Sequence, residues 1–111
     1  MAAASYRLGN LVAIVDKNGL QYDGDTEKVL ALDDLAAKWS AFGWDAVDVD
    51  GHDVAKLLEA FSTRGDKPLA VIAHTVKGKG VSFMENAPAW HHSILTQRQF
   101  DQAMAELEGA R

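Results

Sequence analysis

Several residue types and patterns are missing from this sequence, and each absence excludes a class of protein. There is no cysteine, so disulfide frameworks, thiolate zinc sites and cysteine nucleophiles are excluded. The longest hydrophobic runs, residues 11–15 and 69–73, have five residues each, whereas a helix that crosses a bilayer needs roughly 20. The first residues lack the basic and apolar regions of a signal peptide. We therefore expect a cytoplasmic protein with no membrane partner.

Positive charge is also scarce. The chain has 11 Lys and Arg against 16 Asp and Glu, which gives a net charge of −5. No basic stripe is present that could neutralise a run of phosphates, so we expect no nucleic-acid partner. Hydrophobic residues make up 48% and charged residues 24% of the chain, as is typical of globular domains. The length of 111 residues predicts one domain, 1–111.

Strand and helix patterns alternate along the chain. Residues 11–15 and 69–73 are continuously apolar, as in strands buried on both faces, and residues 46–50 alternate between apolar and acidic residues. Three other segments have apolar residues at helical spacing, from which we expect Trp39, Phe42 and Phe61 to be core residues. The three apolar faces are Leu32, Leu35, Trp39 and Phe42; Val54, Leu57, Leu58 and Phe61; and Phe100, Ala103, Met104 and Leu107.

The helical segments also carry end signals. Asp33 or Asp34 can cap the first helix, and Gly43 is placed to end it. Asp53 can cap the second helix. The third begins with the capping-box pair of Thr96 and Gln99, which is typical of a helix start.

The order strand, helix, strand, helix, strand, long loop, helix predicts the fold class. It indicates an α/β fold with a parallel sheet between flanking helices in three layers. Three parallel strands leave both sheet edges uncovered, which complete domains avoid. Residues 1–6 are compatible with the end of a helix whose beginning is absent, and also with a short frayed N-terminus.

Two polar loops follow the carboxyl ends of predicted strands, where ligands bind in open parallel sheets. They cover residues 16–25 and 74–92. In the first loop, Asn18 and Gly19 form the strongest short signal for a hairpin turn, yet asparagine and backbone carbonyl oxygens are also hard ligands that suit magnesium. A hairpin and a ligand-binding loop therefore both remain open.

The second loop contains two further candidate features. Residues 77–80, Lys-Gly-Lys-Gly, could bind an anion through backbone amides, but they do not match a P-loop, and a solvated basic turn is favoured. His91 and His92 are adjacent, and neighbouring side chains of an extended segment point to opposite sides. A pair of histidine metal ligands is therefore not expected, and His92 should point away from a site that contains His91.

Five segments of the chain together resemble one enzyme family, the transketolases. Residues 11–24 resemble the second half of the family's thiamine-diphosphate motif. Residues 41–44 and 49–53 are similar to the helix and strand that follow it. Residues 74–86 and 88–91 resemble the N-terminal subunit of split, two-chain bacterial transketolases. The order and spacing agree over nearly the whole chain.

The resemblance implies a set of site residues for thiamine diphosphate and Mg²⁺ or Ca²⁺. Asn18 corresponds to an asparagine that coordinates the metal through its side chain, and Leu20 to a residue that does so through its backbone carbonyl. Tyr22 falls where the family places a residue, more commonly aliphatic, against the thiazolium ring. His91 corresponds to a histidine that reaches the diphosphate and lies near the reacting ketose, which implies a catalytic role.

The sequence also departs from the family pattern, because the Gly-Asp-Gly triplet that opens the cofactor motif is missing. The resemblance therefore implies the C-terminal portion of a cofactor-binding domain. The implied reaction is transfer of a two-carbon ketol unit between sugar phosphates. The implied partners are the domains or subunit that carry Gly-Asp-Gly and the pyrimidine-binding site, in an enzyme that is a homodimer. We expect the isolated chain to be inactive.

Two other functions stay open at this point. One is a truncated, inactive fragment or an interaction subunit that retains the fold. The other is a different thiamine-diphosphate enzyme such as deoxyxylulose-phosphate synthase, which residues 77–86 disfavour.

Overall fold

A three-stranded parallel sheet organises the first of two structural units, residues 1–17 and 32–75. The computed structural model describes residues 1–63 and 65–109. The elements, in chain order, are α1 (Ala2–Ser5), β1 (Val12–Lys17), β2 (Leu20–Gln21), β3 (Gly24–Asp25), α2 (Thr26–Val29), α3 (Leu35–Ala41), β4 (Asp45–Asp50), α4 (Val54–Ser62), β5 (Leu69–His74), a 3₁₀ helix (Pro88–His91) and α5 (Gln97–Gly109).

The three long strands pair in the order β1–β5–β4. Both outer strands run parallel to β5, and Lys17 of β1 and Asp50 of β4 lie opposite His74. The connection from β1 to β4 passes through α3, and the return from β4 to β5 passes through α4. Because such crossovers are right-handed and these two run in opposite directions across the sheet, the two helices cover opposite faces. The predicted α/β fold with a parallel sheet and flanking helices is confirmed.

The core lies on the central strand. Val71 and Ile72 of β5 are fully buried, which confirms the strand predicted from the apolar run 69–73. On one face, Leu69 and Val71 pack with Ala60 of α4, together with Val12, Val47, Val49, Leu57 and Phe61. The helix α4 is therefore fixed to the sheet by the residues of its inner face.

The two edges of the sheet differ in character. We expected the strand at residues 11–15 to be buried on both faces, but Ile14 of β1 is 58% exposed. That expectation is wrong because β1 is an edge strand: among the described residues, 1–63 and 65–109, it pairs with β5 alone. On the other edge, β4 carries the exposed acidic residues Asp45, Asp48 and Asp50. Charged residues discourage strand addition, so the β4 edge is protected and the apolar β1 edge is not.

The predicted helix caps are confirmed. Asp34, one of the two candidates, accepts a hydrogen bond from the Ala37 N–H at 2.8 Å, and Asp53 accepts one from the Lys56 N–H at 3.1 Å. Gly43 follows α3 with φ of +86°, a conformation that glycine adopts without strain.

The third predicted cap, the capping box, is also present. The N–H of Thr96 donates to Gln99 Oε1 at 3.0 Å, and the N–H of Gln99 donates to Thr96 Oγ1 at 3.3 Å.

Burial of the predicted helix faces is only partly as expected. Val54 and Leu58 of α4 are 68% and 60% exposed, and Phe42, expected in the core, is 54% exposed. On α5 only Ala103 is buried, and Phe100, Met104 and Leu107 are largely exposed. Helical spacing shows which residues share a face, but the packed part of that face is decided by distant chain segments. None of the helices in the described part of the chain is long and apolar enough to cross a membrane.

Candidate functional site

The second structural unit contains all four predicted site residues. Its described part consists of residues 18–31 and 76–109, which follow the carboxyl ends of β1 and β5. Within it, β2 and β3 form a short antiparallel hairpin in which Leu20 pairs with Asp25 and Gln21 with Gly24. Apart from the first two residues of each, the two polar loops predicted from the sequence thus lie in one unit.

This hairpin shows whether Asn18 and Gly19 form a hairpin turn, one of the two alternatives left open by the sequence. These residues do not form its turn, because the turn lies further along the chain, at Tyr22 and Asp23. Instead, Asn18 Oδ1 accepts a hydrogen bond from the backbone N–H of Leu20 at 2.9 Å, and Gly19 has a φ of +74°. This is the local side-chain-to-backbone turn that asparagine favours. It orients the Asn18 amide.

Tyr22 lies at the hairpin turn and contacts the other predicted residue of the site, His91. Their ring centroids are 5.4 Å apart and the ring planes make an angle of 84°, an edge-to-face arrangement. The structure thus brings two distant parts of the sequence into contact. Asn18, Leu20 and Tyr22 lie on one loop, and His91 of the other loop contacts Tyr22.

A cleft of about 290 Å³ is lined by these two rings and by Pro88, Ala89 and His92. The expectation that His92 points away from the site is wrong. It assumed an extended segment, but residues 88–91 form a 3₁₀ helix that begins at Pro88. The chain therefore changes direction between His91, the last residue of this helix, and His92, and both histidines line the cleft.

The 3₁₀ helix is held by the loop that precedes it. The indole N–H of Trp90 donates to the carbonyl oxygen of Phe83 at 2.9 Å, and the two rings lie 5.3 Å apart. Gly78 makes the loop possible, since its φ is +73° and a Cβ there would lie 2.5 Å from the Met84 carbonyl oxygen. These contacts fix the backbone that carries His91.

The Lys-Gly-Lys-Gly segment, residues 77–80, contacts the carboxylate of Glu85. The backbone N–H of Gly80 donates to Glu85 Oε1 at 3.0 Å, and Lys79 Nζ lies 4.0 Å from the same oxygen. Since Glu85 already accepts from this amide, the geometry agrees with the predicted basic turn rather than with a phosphate-binding loop.

Glu106 of α5 anchors the same loop, a contact that the sequence analysis missed. Its carboxylate accepts hydrogen bonds from the backbone N–H of Ser82 at 2.6 Å and from the Ser82 hydroxyl at 2.7 Å. Gln102 Nε2 donates to it as well, at 2.8 Å. The Gln102 bond and then the two Ser82 bonds hold the pKa of Glu106 below its ordinary value of 4.5. No local pattern reveals this network, because Ser82 and Glu106 are 24 residues apart.

The donors in this unit fit part of a magnesium site. The Asn18 amide oxygen keeps a second lone pair beside its bond to the Leu20 N–H, and the Leu20 carbonyl is another hard oxygen. Mg²⁺ takes six such ligands, several of them waters or substrate phosphates. Among the described residues no group of three or more His, Cys, Asp or Glu could hold a metal. These two oxygens are therefore of the chemical type that a magnesium site requires, and they supply two of its six ligands at most.

Two other histidines lie in the first unit, at the carboxyl ends of β5 and β4. His74 Nε2 lies 2.6 Å from Asp48 Oδ1, in a hydrogen bond that links neighbouring strands. The backbone N–H of His52 donates to Asp50 Oδ1 at 2.9 Å. Neither histidine was among the site residues expected from the sequence.

Comparison with known proteins relates the chain to one family. Residues 1–109 match the family model described as "Transketolase, thiamine diphosphate binding domain". The chain is 42% identical over 110 residues to a subunit of the apulose-4-phosphate transketolase of Phocaeicola vulgatus, covering 96% of this chain and 39% of that protein. It is 39% identical over 111 residues to a 6-deoxy-6-sulfo-D-fructose transketolase subunit of a Clostridium species, covering 97% and 40%.

A solved structure has the same fold. The transketolase of Campylobacter jejuni superimposes with a TM-score of 0.85 at 23% identity, covering 96% of this chain and 17% of that one. The chain thus spans about two fifths of the length of the two bacterial subunits that it matches.

Proposed function

Because the chain belongs to the family of transketolase thiamine-diphosphate-binding domains, we propose that it forms part of a cofactor site in a transketolase. The reaction proposed is transfer of a two-carbon ketol unit from a ketose phosphate to an aldose phosphate. The observation that carries the proposal is the contact between Tyr22 and His91 in the unit that also contains Asn18 and Leu20. All four residues that the resemblance implies lie on these two loops.

The metal side of the proposed site consists of two oxygens. The Asn18 side chain and the Leu20 carbonyl would bind Mg²⁺, or Ca²⁺, which also prefers oxygen ligands. The metal would in turn hold the diphosphate. Since the Leu20 N–H fixes the orientation of the Asn18 amide, little side-chain freedom would be lost on binding.

The cofactor side of the proposed site consists of the two rings. Thiamine diphosphate, when bound, supplies the carbanion that accepts and releases the two-carbon unit. Tyr22 would lie against the thiazolium ring. His91 would donate a hydrogen bond to the diphosphate or to a substrate hydroxyl, and a charged acceptor strengthens such a bond.

The proposed partner is the remainder of a split transketolase. The two bacterial relatives are each named as one subunit of a transketolase, and this chain spans about 40% of each. The remainder would contribute the Gly-Asp-Gly aspartate as a further metal ligand, together with the pyrimidine-binding domain. The assembled enzyme is proposed to be a homodimer that acts on sugar phosphates.

A chimera tests this proposal. Residues 1–109 would replace the matching section of the Phocaeicola vulgatus subunit. This chimera would be assembled with its partner subunit, and calorimetry would measure thiamine diphosphate binding with and without Mg²⁺. We expect magnesium-dependent binding that Asn18→Ala weakens. A folded chimera that binds no cofactor would overturn the proposal.

A further inference from the structure

The imidazole of His91 makes one ring–ring contact within the described part of the chain, with Tyr22. In the parts of the chain that the structure describes, 1–63 and 65–109, no hydrogen bond is made to this ring, and its partner is the ring of Tyr22. Both side chains are exposed, Tyr22 by 72%. The contact is therefore not imposed by burial in a core.

The backbones on either side of this contact are held in place. Tyr22 follows Gln21, which pairs with Gly24 in the hairpin. His91 follows Trp90, whose indole N–H is bonded to the Phe83 carbonyl oxygen. With both backbones fixed, the remaining freedom lies in the side-chain torsions, and an edge-to-face contact favours one combination of them.

We propose that Tyr22 is the positioning residue of His91. Its ring selects the imidazole rotamer in which His91 lines the cleft of residues 22, 88, 89, 91 and 92. The ring and not the hydroxyl does this, because the described part of the chain shows no hydrogen bond to the Tyr22 hydroxyl. The assignment of His91 to cofactor or substrate contact rests on the proposed function, whereas the ring contact does not.

The first test needs no cofactor and uses the 111-residue chain. All samples carry Ile14→Lys, which places a charge on the exposed β1 edge and discourages association. NMR should show nuclear Overhauser effects between the ring protons of Tyr22 and those of His91. The two carbon-bound protons of the His91 imidazole, Hδ2 and Hε1, should also show ring-current shifts. Tyr22→Phe keeps the ring and should retain those shifts, whereas Tyr22→Leu should remove them. Tyr6→Leu is the matched control, since Tyr6 is also exposed and should leave His91 unchanged.

The same test can overturn the proposal. If the His91 resonances of Tyr22→Leu match those of the unsubstituted chain, while circular dichroism shows both folded, Tyr22 does not position His91. Equal changes in Tyr22→Phe and Tyr22→Leu would also contradict it, because they would assign the effect to the hydroxyl.

A second readout uses the chimera described above. Edge-to-face ring pairs contribute enough to change the population of the favoured rotamer roughly two- to tenfold. Tyr22→Leu should raise the thiamine diphosphate Kd by that factor, and Tyr22→Phe should leave the Kd unchanged. In a chimera that also carries His91→Ala, Tyr22→Leu should have no such effect, whereas a direct contact of Tyr22 with the cofactor would still be lost there. If the chimera binds cofactor and Tyr22→Leu leaves its affinity unchanged, the positioning role of Tyr22 is contradicted but the proposed function is not. A chimera that binds no cofactor, with the NMR result positive, would contradict only the proposed function.

Discussion

The Oδ1 atom of Asn18 accepts a hydrogen bond from the backbone N–H of Leu20 at 2.9 Å. The bond brings the two proposed metal-binding residues into one tight turn. It also orients the amide oxygen through contacts of the protein alone. A turn held by such a bond restricts the amide, which reduces the entropy lost when a ligand binds to it.

The first prediction concerns this amide. Asn18→Ala removes both the turn acceptor and the proposed metal ligand, so it should lower magnesium-dependent cofactor affinity of the chimera at least tenfold; even the residues that only orient metal ligands are worth about 10–100-fold. Asn18→Asp keeps an acceptor oxygen and should retain binding. Calorimetry at several Mg²⁺ concentrations measures both. Equal affinity of Asn18→Ala and the unsubstituted protein would show that Asn18 is not a ligand.

The second prediction concerns the two histidines of the cleft. A hydrogen bond from His91 to a charged acceptor is worth about 1.5–3 kcal/mol. His91→Ala should therefore lower kcat/KM of the assembled enzyme roughly ten- to a hundredfold. His92 lines the same cleft without the Tyr22 contact, and His92→Ala should have a smaller effect.

Steady-state kinetics and thermal melts of the same preparations decide whether His91 has a catalytic or a purely structural role. A lowered Tm together with normal catalysis in His91→Ala would assign His91 a purely structural role. A damaging His92→Ala beside a silent His91→Ala would show that the two histidines have been assigned the wrong way round.

The third prediction follows from the lowered pKa of Glu106. A carboxyl group whose pKa is lower in the folded chain stabilises the fold above its unfolded pKa, and this contribution is lost as the pH falls through the folded value. Glu106→Gln should therefore lower Tm at pH 7, and the difference should shrink as the pH is taken below 4.5.

Thermal melts over that pH range, with Glu108→Gln on the same helix as the control, measure the effect. A Tm difference for Glu106→Gln that does not depend on pH would contradict the role of the ionised carboxylate.

The fourth prediction concerns the unprotected edge of β1. An apolar edge strand with free backbone groups pairs readily with another chain, so the isolated chain should self-associate at micromolar concentration. Ile14→Lys places a charge on that edge and should shift sedimentation velocity profiles toward monomer. Val54→Lys changes an equally exposed apolar residue on a helix and should not. A monomeric unsubstituted chain, or equal effects of both substitutions, would contradict this account.

Much of the fold follows from local signals in the sequence. The apolar run of β5, the acidic caps Asp34 and Asp53 and the glycine after α3 each act within a few residues, and each was predicted. The features that were missed depend on distant partners. Leu58 looks like a core residue by its spacing, but what covers α4 is decided elsewhere in the chain.

In the candidate site, too, local features could be predicted from the sequence and contacts between distant residues could not. The resemblance identified Asn18, Leu20, Tyr22 and His91 by their motifs. The ring contact between Tyr22 and His91 spans 69 residues, as their numbers show, and no local pattern predicts it. The orientation of His92 was predicted wrongly because the segment before it was taken as extended. Residues 88–91 form a 3₁₀ helix instead, and Pro88 at its start was a signal for helical backbone.

The most direct test of the central claim is an NMR titration of the 111-residue chain, with Ile14→Lys to keep it monomeric, with thiamine diphosphate in the presence and absence of Mg²⁺. The account predicts weak, magnesium-dependent shifts at residues 18–22 and 88–92, because only part of the metal's ligands is present in this chain. The absence of shifts at these residues at millimolar cofactor, or shifts confined to the β4 edge, would contradict the account.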